Sequence, residues 1–396
     1  MYEINEGRDE DRDSAIRLFW KVFEPTSNLD EISKEDWAQG WHRPEDHDWA
    51  FVARQDGRVV ANVSFFSHSW NLIRGSSVKF AAVWGVATEP QHRRKGLIRR
   101  LFTVVFPKMR EEGHPLSILD PFNRPFYERF GYALAETRMK HILKPNHLKL
   151  IKGPPDISNR ELEDPEEFEV LYEAEKSMAR FGSRAFHTPR TLKRMIKSHH
   201  FHLLERDGEA VGAVKFAFKG PEDNRELIIG YSPYKTDYVF PAIVELVSQY
   251  AVQVQKISWI CDTETPVRHF LTEVHDAESH SMGCMMMRVV DFEEYCKQIK
   301  VPETSTEPVV LSLIDDYCPW NNGVFRIEPS DGGLGIERVE SMPEIELDAH
   351  GLSAVVSGHT PPRMLREFGE IMCSAETAAN LEAVFPQDAY HSYQRF

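Results

Sequence analysis

The run from Ala81 through Thr88, Glu89-Pro90 and then His92-Arg-Arg-Lys-Gly-Leu-Ile-Arg99 restricts this chain more than any other stretch. Ala81 to Thr88 is apolar enough to be a buried strand, and Glu89-Pro90 is a turn signal. An apolar-periodic helix begins just after Gly96. A strand that feeds a loop and then a helix amino terminus gathers several unpaired backbone N–H groups at one point. The helix dipole adds positive potential there, so phosphate is the natural ligand. Gly96 lets the backbone approach that ligand with no Cβ in the way. Arg93, Arg94, Lys95, Arg99 and Arg100 add charge around a site already suited to a pyrophosphate. A basic helix start on a solvated face explains those charges, but not the buried strand and the glycine in this order.

The rest of the chain sets limits. Its 396 residues are enough for two or three domains. The balance of 47 basic against 62 acidic residues gives −15, which argues against a nucleic-acid partner and makes the cations at 93–100 a local feature. Cys261, Cys284, Cys296, Cys318 and Cys373 are scattered with no Cys-x-x-Cys pair. That spacing suggests neither a disulfide framework nor a zinc site, so no metal is expected. No segment approaches a membrane span and no signal-type apolar stretch stands out, so the expected location is cytoplasmic.

Alternating signals organise the first 150 residues. A helix is expected from Asp11 to Phe23. Strands follow at Trp49–Arg54 and Arg58–His68 around Gln55-Asp56-Gly57, then the motif strand and its helix to about Glu112. A strand at Leu116–Leu119, a short helix over Phe122–Phe130 and a strand over Tyr132–Met139 complete the unit. Residues 151–295 repeat the plan: Phe201–Glu205, Asp207-Gly208, Ala210–Lys219, Glu226–Tyr231, a helix from Phe240 to Val254 and a strand at Lys256–Cys261. After Tyr231, however, comes Ser-Pro-Tyr-Lys-Thr-Asp, with no Arg-x-x-Gly. Past the Pro/Thr/Glu-rich 301–308, residues 296–396 read as a third, α+β unit. Its strands are expected at Val309–Ile314, Gly323–Pro329, Gly335–Val339 and Glu344–Leu347, and its helices at His350–Ser357, Arg363–Glu370 and Ser374–Phe385.

The motif Val-x-Thr-x-Pro-x-x-Arg-x-x-Gly-x-Ile resembles the acetyl-coenzyme-A loop of the GNAT acetyltransferases, with Ile98 where a small residue is usual. Together with Phe126-Tyr-Glu-Arg-Phe-Gly-Tyr132, Pro319-Trp-Asn-Asn-Gly-Val-Phe-Arg326 and the ending on Phe396, the whole chain resembles the Eis (enhanced intracellular survival) family. The resemblance implies an α/β (α+β) chain of tandem GNAT folds, the second degenerate, followed by a sterol-carrier-protein-like domain. Ile98 is compatible with that family.

The resemblance further implies an N-acetyltransferase that uses acetyl-CoA. Val86, Ala87 and Thr88 would pair with the pantetheine amides, and the loop Arg94, Lys95, Gly96, Leu97, Ile98 and Arg99 would hold the pyrophosphate. Phe122 and Asn123 would touch the cofactor again. Tyr127 would protonate the departing sulfur, and a phenol with an ordinary pKa of about 10 is suited to donate at neutral pH. A core tyrosine with a satisfied hydroxyl is the plain alternative; Tyr132 reads as structural. The base implied is the terminal carboxylate of Phe396, with Glu128 and Asp120 as fallbacks. Phe23, Trp37, Trp41 and Trp84 are candidate acceptor walls, though each is more simply explained as core. The family also implies a homo-oligomer, a hexamer. The acceptor is an aminoglycoside, a polyamine or a lysine-type amine, which the residues do not separate. A competing reading is a non-catalytic module that binds a lipid or protein through the third domain. Retention of Arg93–Gly96 and Tyr127 favours the enzyme.

Overall fold

The computed structural model describes residues 1–24, 41–68, 71–178, 183–273, 275, 277–282, 285–301, 307–330, 333–388 and 390–394. β1 (Glu3–Glu6) leads into α1 (Arg12–Phe23), which buries Ala15, Ile16, Leu18 and Phe19 on one face. β2 (Asp48–Gln55) and β3 (Arg58–His68) are joined by Asp56-Gly57, with φ of 53° and 74°, the backbone that a two-residue hairpin turn requires. The short β4 (Asn71–Ile73) and β5 (Ser76–Ser77) precede β6 (Phe80–Thr88), α2 (Leu97–Glu111) and β7 (Leu116–Leu119). Then come α3 (Arg124–Glu128), β8 (Ala133–Leu134) and β9 (Arg138–Leu143). The expected helix over 122–130 is thus shorter, because Asn123 caps it and Gly131, at φ 84°, ends the turn that follows. The expected strand over 132–139 is broken in two: Glu136 turns fully inward, and the halves join different sheets.

The second stretch gives β10 (Ser158–Glu161), α4 (Phe168–Ser177), β11 (Arg184–Ala185), α5 (Pro189–Ser198), β12 (His200–Arg206) and β13 (Glu209–Lys219). The Asp207-Gly208 turn between the last two repeats the positive φ pair, at 52° and 80°. β14 (Glu226–Tyr231), α6 (Phe240–Ala251), β15 (Lys256–Cys261), β16 (Glu278–Met282) and β17 (Met286–Val289) follow. Two sheets result among the described residues, ordered β1-β2-β3-β6-β7-β17-β8 and β10-β12-β13-β14-β15-β9-β16. They exchange strands. β9 lies between β15 and β16, and β17 lies between β7 and β8, so each sheet is completed by a strand from the other stretch.

The last stretch contains α7 (Phe292–Gln298), β18 (Val309–Ile314), β19 (Gly323–Ser330), β20 (Gly333–Arg338), β21 (Ile345–Asp348), α8 (Ala349–Ser357), α9 (Pro362–Glu367), α10 (Ala375–Val384) and β22 (His391–Ser392). α9 stops earlier than expected because Gly369 takes a left-handed φ of 74°. Leu311, Phe325, Leu347 and Leu352 share one core with Phe80, Leu116 and Ile118, so the third sheet packs directly on the first unit. No helix of the described residues is long and apolar enough to cross a membrane.

Candidate active site

β6 and β7 run parallel but pair only from Phe80 with Leu116 to Ala82 with Ile118. Beyond Ala82 they part, so β6 offers one edge that β7 no longer occupies. On its other edge β6 bulges against β3. Trp84 faces Ser64 and Ala87 faces Asn62, so Gly85 and Val86 together oppose the single Val63. Gly85 has φ 62°, and a Cβ there would stand 3.1 Å from both Asn62 Nδ2 and Phe19 Cζ. The fully buried Asn62 fixes the bulge. Its Nδ2 donates to Gly85 O (2.8 Å) and Ser64 Oγ (2.9 Å), and its Oδ1 accepts from Trp41 Nε1 (3.0 Å). Asn62→Ala leaves the Gly85 carbonyl and the Trp41 N–H without these partners, which should cost about 1–3 kcal/mol. Urea unfolding checks this; an unchanged midpoint would show that Asn62 does not hold the bulge.

The loop after β6 wraps the amino terminus of α2. Arg94 and Gly96 both take left-handed φ, 62° and 70°. A cavity of about 1120 Å³ opens there, just above the roughly 300–1,000 Å³ common for small-molecule sites and suited to an extended ligand. Val86, Ala87, Thr88, Arg94, Lys95, Gly96, Leu97, Ile98, Arg99 and Phe122 all line it. Asn123 does not; its side chain is spent on capping α3, where Oδ1 accepts from Phe126 N at 3.0 Å. Tyr2 braces the basic loop, accepting from Lys95 Nζ at its hydroxyl (3.0 Å) and from Arg100 Nη2 at its carbonyl (3.3 Å). A Cβ at Gly96 would meet nothing within 4 Å, so its cost is conformational. A β-branched residue is a true outlier at such a φ. Gly96→Val should therefore raise the dissociation constant for acetyl-CoA at least tenfold, about 1.4 kcal/mol. Calorimetry on the folded variant reads it, and unchanged binding would count against a phosphate-holding loop.

Tyr127 sits behind this wall. It is buried, with its ring 5.5 Å from Phe122 and 5.1 Å from Phe126, both of which line the cavity. Burial pushes its hydroxyl well above the usual phenol range, with Tyr132 and Asp120 adding to the effect. The proton is thus firmly held at neutral pH. Tyr132 is wholly buried with its hydroxyl on Ser117 Oγ (2.7 Å), a structural role. Glu128 is tied to Arg124 at 2.6 Å. Of the candidate acceptor walls, Phe23 lines the cavity, Trp41 is wholly buried in the core and Trp84 packs against Phe19 at 5.7 Å. Trp37 lies outside the described residues. Val22, Phe126, Arg129, Phe130, Asp316 and Tyr317 also line the cavity without having been singled out from the sequence. Phe126 and Phe130 lay within a quoted motif, whereas nothing local marks Asp316 and Tyr317, which come from the third domain.

Phe396 lies outside the described residues, but the chain leading to it is pinned to Gln394. β22 pairs in parallel with β11, Tyr393 N donates to Ala185 O (2.8 Å) and Thr188 N donates to Gln394 Oε1 (3.0 Å). Fully buried Glu136 accepts from Ser392 N (2.9 Å) and Arg138 Nε (3.0 Å). His391 Nδ1 stands 2.8 Å from the same carboxylate. Burial alone would raise the Glu136 carboxyl, but His391, Arg138 and the Ser392 N–H outweigh it and hold the pKa at about 2. The tail also fills the second unit. β14 and β15 pair only as far as Ile229 with Trp259, and His391 and Tyr393 close the ensuing gap to a cavity of about 10 Å³ beside Tyr231 and Asp262. Where the first unit keeps an open cleft, the second holds His391 and Tyr393 of the same chain.

Residues 3–135 match the acetyltransferase (GNAT) domain family, and residues 292–392 match the sterol carrier protein domain family. An uncharacterized N-acetyltransferase of Streptomyces coelicolor is 23% identical over 383 residues, covering 87% of this chain and 86% of that protein. Among solved structures, a GCN5-related N-acetyltransferase from Anabaena variabilis superposes with a TM-score of 0.85 at 16% identity, over 100% of both chains. Eis1 from Mycobacterium abscessus does so with a TM-score of 0.80 at 18% identity, also over 100% of both. The opened parallel pair, the bulge and the GNAT match define a GNAT-type N-acetyltransferase. A sterol-carrier-type domain follows it, and over its whole length the chain shares the fold of Eis1.

Proposed function

We propose that this chain transfers an acetyl group from acetyl-CoA directly to a primary amine. The carrying observation is the bared edge of β6, whose Val86, Ala87 and Thr88 line the same cavity as the amino terminus of α2. A bared strand edge can pair with the amides of an extended pantetheine arm. The basic loop and first helical turn suit a pyrophosphate, and Gly96 leaves the backbone open to it. Acetyl-CoA supplies an activated acyl group on a thioester. In this reading Arg94 to Arg99 hold the phosphates and Tyr127 gives its proton to the departing sulfur. The α-carboxylate of Phe396 takes the proton from the attacking amine. The units are 1–150 for catalysis, 151–295 as a GNAT-like partner without a cofactor, and 296–396 carrying the terminus. An aminoglycoside, a polyamine or a lysine-type side chain is the acceptor, and the assembly is a homo-hexamer, as the family resemblance implies.

A thiol-release assay with acetyl-CoA against aminoglycosides, polyamines, amino-acid esters and lysine peptides tests the reading. Amine-dependent release of free thiol is the expected result. Binding of acetyl-CoA with no release toward any amine would overturn it.

A further inference from the structure

The cavity does not end with the first unit. Its far wall is the loop after β18, where Asp316 and Tyr317 of the third domain face Phe126, Arg129 and Phe130 of the first. We propose that this loop is the nucleotide-end wall of the cofactor site, with Tyr317 packing against the adenine of coenzyme A. The inference rests on the acetyl-CoA reading above. If the pantetheine arm takes the bared edge of β6 and the pyrophosphate takes the start of α2, the adenosine must fill what remains. What remains is the space between α2, α3 and this loop.

The loop is built to hold a shape. Asp315 is buried and accepts twice from Arg288 Nη2 (2.7 and 3.0 Å), and from the backbone N–H of Tyr317 (3.0 Å) and Cys318 (2.9 Å). Its own N–H donates to Asn322 Oδ1 at 2.6 Å. Arg288, on β17, also donates from Nε to the carbonyl of Phe130 at 2.6 Å. One guanidinium thus fixes both walls of the same cavity, one from each domain. Gly131 shows how closely they are fitted, since a Cβ there would fall 2.6 Å from Ala349 Cβ on α8. Tyr317 lies edge-on to Phe130 (5.4 Å) and Phe106 (6.0 Å), so its ring plane is set by packing. A flat, preset aromatic face is what a purine stacks on, with no sequence-type reading required. Asp316 beside it is exposed and can accept from an adenine amino group.

The test compares acetyl-CoA with acetyl-phosphopantetheine, which lacks the nucleotide, by calorimetry on the full chain. Tyr317→Ala should weaken acetyl-CoA about tenfold or more, the scale of one lost base–aromatic stack, and leave acetyl-phosphopantetheine within twofold. Tyr317→Phe should bind both as the parent does. Equal weakening of both ligands, or no change in either, overturns the proposal. Failure of the parent chain to bind acetyl-CoA would instead strike the functional reading itself. Should Tyr317→Ala not fold, a coenzyme A analogue with a photoreactive azide on its adenine decides the matter in the unaltered protein. Label should appear on the tryptic peptide 301–326; label confined to peptides of the first unit refutes it.

Discussion

Tyr127→Phe is expected to lower kcat by roughly 10²–10⁴, the usual scale for losing a positioned proton donor. The change removes a single oxygen, and the ring it leaves keeps its contacts with Phe122, Phe126 and Tyr132. Stability and acetyl-CoA binding should survive, so the loss belongs in kcat. Burial decides the direction of the chemistry. Desolvation penalises the phenolate, so the raised pKa makes Tyr127 a poor base and a group that is always loaded with its proton. An alkaline fall in rate near an ordinary tyrosine pKa should therefore not come from this residue. The measurement is single-turnover kcat with acetyl-CoA and any accepted amine. A rate within a few-fold of the parent, with chemistry limiting, would leave Tyr127 as a packing residue behind Phe122.

What the sequence made legible was local. β7, β14, β15 and β18 appear at the bounds that periodicity and turn residues imply, because each is a short apolar run closed by strong punctuation. The loop 94–99 was legible for the same reason: strand, glycine and helix are consecutive. The exchange of β9 and β17 was not, because either strand would satisfy its own periodicity in either sheet and only the global packing chooses. Two-residue pairings such as β11 with β22 leave no periodic trace at all. Asn62 hides within an alternating strand, where a buried amide looks like any outward polar residue until the bulge opposite it is seen. Asp316 and Tyr317 were illegible for a different reason: they reach the cavity only because the third domain packs on the first, through a shared core and the Arg288 clamp.

Extending the chain by one residue beyond Phe396 is expected to lower kcat by about two orders of magnitude or more, while acetyl-CoA binding stays intact. The reach of the terminus sets the argument. The tail is held through Gln394, so only two residues, roughly 7 Å at most, separate the last anchored position from the carboxylate. An added residue moves the charge by up to about 3.5 Å, and the anchored strand behind it has no slack to take up the difference. Glu136 is the deepest of those anchors. Its carboxyl is held at about 2 against an ordinary 4.5, so the stabilisation it gives is present above about 4.5 and is lost as pH falls toward 2. At neutral pH the tail is therefore docked, and a misplaced carboxylate stays misplaced. Removing Phe396 approaches the same point from the other side, since Arg395 would then supply a carboxylate one residue short and without an aromatic anchor. Both variants should keep the parent's affinity for acetyl-CoA by calorimetry and lose turnover. An extended chain with full activity would pass the base to a water chain or to Glu128, which would first have to release Arg124.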